Sequence, residues 1–75
     1  MKYTRDEKFI KAFGKHLQKL RKQGKVTQEE LCYRTELSLS QIGRIERGEI
    51  NTSISMVNII SKALKILPKE LFDFE

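Results

Sequence analysis

Two helix start signals stand eleven residues apart in the middle of the chain, and that spacing limits what can lie between them. Thr27-Gln28-Glu29-Glu30 and Ser38-Leu39-Ser40-Gln41 each place Glu or Gln three positions after a hydroxyl residue. In this pattern the hydroxyl accepts the third residue's backbone N–H, and that residue's side chain reaches back to the cap. A helix opened at Thr27 can turn only Leu31, Cys32 and Thr35 toward a core before Ser38 opens the next. The pair is joined by a turn at Glu36 and Leu37, so the two helices must cross steeply, and one face of the second is left projecting.

The flanks also read as helices. Ile10, Phe13, Leu17 and Leu20 recur at steps of three, four and three, with Phe9 beside them, and form one apolar stripe. Thr4 with Glu7 predicts the capping box that starts this first helix, and Gly24 predicts its end. Gly14 inside it costs about 1 kcal/mol relative to alanine, which points to close helix packing. The helix opened at Ser38 buries Ile42 and Ile45, and Gly48 supplies a left-handed residue to end it. Ser53 caps a fourth helix whose core stripe is Ile54, Val57, Ile60 and Leu64. Pro68 suits the first turn of a short fifth, with Leu71 and Phe72 turned inward. No run alternates as a strand, and no repeat or linker divides the chain. The expected fold is all-α, five helices in one domain over residues 1–75.

Composition narrows the function. The net charge of +5 is uneven: residues 1–25 carry nine Lys or Arg against two acids, and residues 26–52 carry three against five. The basic end fits either a polyanion partner or a solvated lysine face. No apolar run nears the roughly 18 residues that cross a bilayer, and lysines interrupt residues 1–20, so a cytoplasmic protein is expected. Cys32 is the single cysteine and His16 the single histidine. Neither has the company that a disulfide, a metal site or a catalytic triad requires. There is no glycine-rich phosphate loop. No cofactor, no metal and no enzymatic activity are expected.

If Ile42 and Ile45 point inward, then Ser40, Gly43, Arg44 and Arg47 point outward, with Gln41 beside them at the first turn. The two helices then form a helix-turn-helix whose exposed face is short, polar and basic. Such a face suits the DNA major groove, where hydroxyls and amides meet base edges and Arg takes guanine O6 and N7 in a fork. The same residues would serve equally as ordinary solvated surface.

The stretch TQEELCYRTELSLSQIGRIERGEINTSISMVNIISKALKILPKELF, preceded by FGKHLQKLR, closely resembles the Cro and phage-repressor helix-turn-helix family over about residues 13–72. The resemblance implies a transcriptional regulator that binds double-stranded DNA, with its motif at about 27–47 and a recognition helix at about 38–47 in the major groove. By position it implies base contacts from Leu39, Ser40, Gln41, Gly43 and Arg44, and phosphate contacts from Gln28, Arg47, Asn51 and Thr52. Gln28 would also brace the start of the third helix, and Arg21 would pair with Glu46. The alternative reading of Asn51 is a simple turn residue. The chain departs from the family pattern at four places. Glu36 replaces the usual turn glycine, so a non-glycine residue is expected in the left-handed region. Leu39 replaces a long polar base reader, Cys32 fills a small buried alanine site, and Thr52 replaces a frequent proline.

Met56, Ile59 and Ala63 lie on a second apolar face of the fourth helix. With Leu67 and Phe74 they would either form a self-complementary dimer patch or pack under the C-terminal tail. A homodimer without an effector domain, bound to a palindromic operator, is the expectation. Restriction-modification controllers, phage repressors and antitoxins with a toxin partner are all small stand-alone members of the family. The rival from another class is a protein-interaction module that has lost DNA affinity, supported by Leu39 and the acidic middle segment.

Overall fold

The computed structural model describes residues 4–75. Four α-helices, α1 (Glu7–Gln23), α2 (Gln28–Thr35), α3 (Leu39–Glu46) and α4 (Ile54–Ala63), are followed by a 3-10 helix, Pro68–Phe72. No strand occurs among the described residues. The expected fifth helix is therefore a 3-10 turn: with Pro68 at its start and only five residues, it closes i→i+3 bonds such as Glu70 N–H to Leu67 O.

The caps explain most boundaries. Thr27 and Ser38 accept the N–H groups of Glu30 and Gln41, and the Gln41 carbonyl oxygen accepts from Ser38 N–H at 2.9 Å, completing that box. Glu30 does not return to Thr27; its carboxylate takes Arg34 one turn on. Ser53 caps α4 through Met56 N–H. The first helix starts later than Thr4 and Glu7 predict, because Asp6 is its cap and accepts from Phe9 N–H. An Asp is as good a cap as Thr, and its charge also favours the positive end of the helix.

Three helices end alike. The N–H of the second residue past each cap returns to the carbonyl five residues back, in Val26 to Arg21, Glu49 to Arg44 and Ile66 to Ser61. The left-handed residue in these closures is Lys25 (φ 58°), Gly48 (φ 74°) and Lys65 (φ 60°). At the turn between α2 and α3 it is Glu36 (φ 63°), as its replacement of glycine implies.

The main core joins Phe13 and Leu17 of α1, Ile45 of α3, Val57 and Ile60 of α4, and Leu71. A second cluster, Val26, Leu31 and Ile42, sits inside the α2–α3 corner. Three expectations about burial fail. Ile54 is 90% exposed, because as the first residue of α4 it lies before the turn that meets the core. Phe72 is 44% exposed, since a helix of this pitch carries it away from Leu71. Cys32 is half-buried at the edge of the second cluster instead of enclosed. His16 is structural: its Nε2 lies 2.9 Å from the Glu70 carbonyl, which it reaches as an N–H donor, and its ring packs on Phe74.

The backbones of α1 and α3 approach closely at Gly14. A Cβ on Gly14 would collide with the carbonyl oxygens of Ile45 and Glu46, the latter at 2.6 Å. Backbone cannot move aside as a side chain can, so Gly14→Ala should lose roughly 1–3 kcal/mol despite alanine's better helix propensity. Urea unfolding followed by circular dichroism measures this, and unchanged stability would contradict the close approach.

Candidate nucleic-acid interface

The recognition face begins with what holds α3 in place. Glu46, in its last turn, accepts Arg21 Nε at 2.6 Å and Arg21 Nη2 at 3.2 Å, and both residues are only 6% exposed. Arg21 Nη1 also donates to the Val26 carbonyl at 2.8 Å. The same Glu46 carboxylate accepts Gln28 Nε2 at 2.9 Å. Gln28 thus braces the end of α3, not its start: the side chain reaches inward to a buried acid that needs a further donor.

Leu39 (48% exposed), Ser40, Gln41 and Arg44 stand on the outer face of α3. Gln41 spends its carbonyl on the Ser38 cap, which leaves its amide group as a donor only. Gly43 does not stand with them. It is buried, because the Arg47 guanidinium lies across it; a Cβ there would be 2.8 Å from Arg47 Nη1. Gly43 is thus the floor on which Arg47 rests, and a base can reach it only if Arg47 swings away.

Arg47 caps α3 and pairs with Glu49 at 2.6 Å, both well exposed. Their hydrogen bond holds the Glu49 carboxyl below its usual range and raises Arg47 further. The loop that follows carries Asn51, exposed, and Thr52, half-buried. This loop is fastened from the other side by Arg5, whose Nη2 donates to the Glu49 carbonyl at 3.0 Å. Sequence reasoning passed over Arg5, since no local pattern signals a contact between residues so far apart. It also passed over Tyr33, which is 84% exposed on α2; its step of two from the buried Leu31 already places it outward.

Arginine pairing separates the residues of this surface. Arg5 pairs with Glu7, Arg21 with Glu46, Arg34 with Glu30 and Arg47 with Glu49. Among the described residues, Arg44 is the one arginine without a carboxylate partner. Of the residues expected to form a dimer patch, Met56 and Phe74 pack on the main core and Ala63 on the second cluster. Phe74 also meets Phe9. Only Ile59 (42%) and Leu67 (58%) remain exposed, so this set is divided between interior and surface.

The buried group makes a direct prediction. Removing either Arg21 or Glu46 strands the other charge, which costs about 3–5 kcal/mol for a buried pair. Arg21→Met and Glu46→Met together should cost much less than the sum of the two alone. A double-mutant cycle on unfolding free energy checks this, and additive losses would rule the coupling out.

Known proteins share this fold. The sequence model of the helix-turn-helix family matches residues 17–71. Control protein C.BamHI of Bacillus amyloliquefaciens is 38% identical over 63 residues, spanning 83% of this chain and 78% of its own. The restriction-modification controller C.AhdI of Aeromonas hydrophila superposes with a TM-score of 0.81 at 36% identity, over 84% of this chain and 96% of that one. The controller C.Esp1396I, solved as a tetramer on its natural 35 base-pair operator, superposes with a TM-score of 0.81 at 26% identity, over 91% and 90% of the two chains. Fold, buried pair, exposed α3 and these likenesses agree: the chain belongs to the Cro and phage-repressor type of helix-turn-helix family, whose members are DNA-binding transcriptional regulators.

Proposed function

We propose that the chain is one DNA-binding domain that docks α3 in the major groove of a two-fold operator as a homodimer, and that it is a control protein of a restriction-modification system. The observation that carries the DNA reading is Arg44: exposed on the outer face of α3, it has no carboxylate to leave before its fork meets guanine. The identities to C.BamHI and C.AhdI support the controller subtype over a repressor or antitoxin.

In this reading Ser40 and the Gln41 amide meet base-edge acceptors, and Leu39 meets a thymine methyl. Arg47, Asn51 and Thr52 meet phosphate at the end of α3, where Arg47 exchanges Glu49 for the DNA backbone. Gln28 acts through Glu46, by holding α3. Gly43 contributes space for Arg47 and reads no base in this arrangement.

Fragments selected from random DNA, then titrated over a salt series, test the assignment. Arg44→Ala should lose about 1–3 kcal/mol on the selected site and relax preference at one base pair. Arg47→Ala should weaken all sequences alike and make the salt dependence shallower by about 0.9 in slope. Equal losses for Arg44→Ala on selected and scrambled DNA would overturn its role as base reader. Failure to enrich any sequence would favour a protein-interaction module.

A further inference from the structure

Five lysines, Lys8, Lys11, Lys15, Lys19 and Lys22, recur along α1 at steps of three, four, four and three. At about 100° per residue they fall within an arc of about 80°, on the side of the helix opposite the buried Ile10, Phe13 and Leu17. All five are exposed, and among the described residues none has a carboxylate partner, since every ion pair is made by an arginine. The one acid of α1 is Glu7, at its first position, and Arg5 takes it. We infer that this stripe is a second DNA contact, a track that holds phosphates of the duplex whose bases α3 reads.

Three features separate the track from an ordinary solvated face. A solvated helix face mixes charge signs, because like charges three or four residues apart weaken the helix that carries them. Here successive like charges stand uncompensated, and a polyanion laid along them removes the repulsion. The stripe also adjoins the end of α3: a Cβ on Gly48, just past that helix, would stand 2.7 Å from Lys11 Cα. Farther along, Lys22 follows Arg21, whose guanidinium reaches Glu46 of α3, the acid that also holds Gln28 of α2. The first helix thus lies across the end of α3 with lysines along its free side. Finally, the numbers match. From Lys8 to Lys22 the helix rises about 21 Å, and a duplex of that length carries about six phosphates on each strand. A membrane surface is a poorer occupant, since a helix lying in it needs an apolar face to bury, and that of α1 is already packed in the core. The track rests on the DNA reading proposed above and adds to it a share of affinity that is blind to sequence.

Binding of the full chain to selected and scrambled DNA over a salt series tests it with two double variants, Lys15→Gln with Lys19→Gln and Lys62→Gln with Lys69→Gln. All four side chains are exposed, so both variants should keep the helical circular dichroism of the parent. Each removes two positive charges, but only the first removes them from the track. The Lys15 and Lys19 change should weaken both DNAs by the same factor, roughly tenfold or more near 50 mM salt, and make the salt dependence shallower by about 1.8 in slope. The Lys62 and Lys69 change should leave the slope at that of the parent. Bound DNA should also shield the amines of Lys15 and Lys19, and not those of Lys62 and Lys69, from acetylation read by mass spectrometry. An unchanged slope for the first variant, equal losses from both, or amines that DNA leaves unshielded would overturn the proposal. So would shielding by vesicles of anionic lipid alone. If the parent enriches no sequence but the Lys15 and Lys19 change still flattens the salt dependence on scrambled DNA, the track stands and the base-reading role of α3 falls. If Arg44→Ala relaxes sequence preference while the Lys15 and Lys19 change does nothing, the track alone falls.

Discussion

One buried carboxylate, that of Glu46, accepts two bonds from Arg21 and one from Gln28, and so ties the end of α3 to α1 and to the first turn of α2. The rest of the interface depends on this knot. With eight residues, α3 is far below the roughly 12–15 at which isolated helices become even marginal, so it is held by its surroundings or not at all. Ile42 and Ile45 bury one side of it, but apolar packing tolerates sliding and rotation. Charged hydrogen bonds at fixed angles do not. A buried pair contributes little net stability over an apolar substitute because its desolvation is costly, so its effect here is to fix where α3 points. Gly14 lets the pair form, since any side chain there would hold α3 away from α1.

Economy elsewhere comes from the turns. A left-handed residue costs roughly 1–2 kcal/mol when it is not glycine, and Lys25, Glu36 and Lys65 all accept that cost. In exchange, short connections satisfy the last carbonyls of their helices and return Val26 and Ile66 toward the interior. Gly48 is where substitution is closed off twice: it has φ 74°, and its missing Cβ would lie 2.6 Å from Lys11 Cγ. The residue just past α3 therefore sits against α1 as closely as the last turn of α3 does.

Local chemistry was legible in the sequence, and long-range chemistry was legible only where a family pattern carried it. Caps at Thr27, Ser38 and Ser53 and the stripes of α1 and α3 follow from spacing, because each depends on atoms within one turn. The Arg21–Glu46 pair is twenty-five residues apart and came from the resemblance alone. Errors clustered at element ends. Ile54 and Phe72 have the right residue type for a core, but whether such a residue packs inward depends on a neighbour that the local period does not include. The target of Gln28 was misplaced likewise: its position on α2 was legible, but the acid it reaches became apparent only when α3 was laid across α1. Gly43 reads as a gap left for DNA, and the gap is filled by Arg47, the residue that caps the same helix.

The acidic middle segment, which favours a protein-interaction module when read as composition, has a different meaning in three dimensions. Of its five acids, Glu46 is buried against Arg21, Glu30 holds Arg34, and Glu49 holds Arg47. Arg34 in turn donates to the last carbonyl of α4 at 2.8 Å, so Glu30 steadies a link between α2 and α4. These acids act on neighbouring arginines and do not form a negative face for a basic partner. Among the described residues, the cations outside the four pairs are Arg44 and the lysines. Lysine is a mobile point charge that follows phosphate without reading sequence, whereas arginine presents a planar fork suited to guanine. Leaving lysines free for attraction, and one arginine free on the outer face of α3 for reading, is the division of labour that a sequence-specific DNA-binding surface needs.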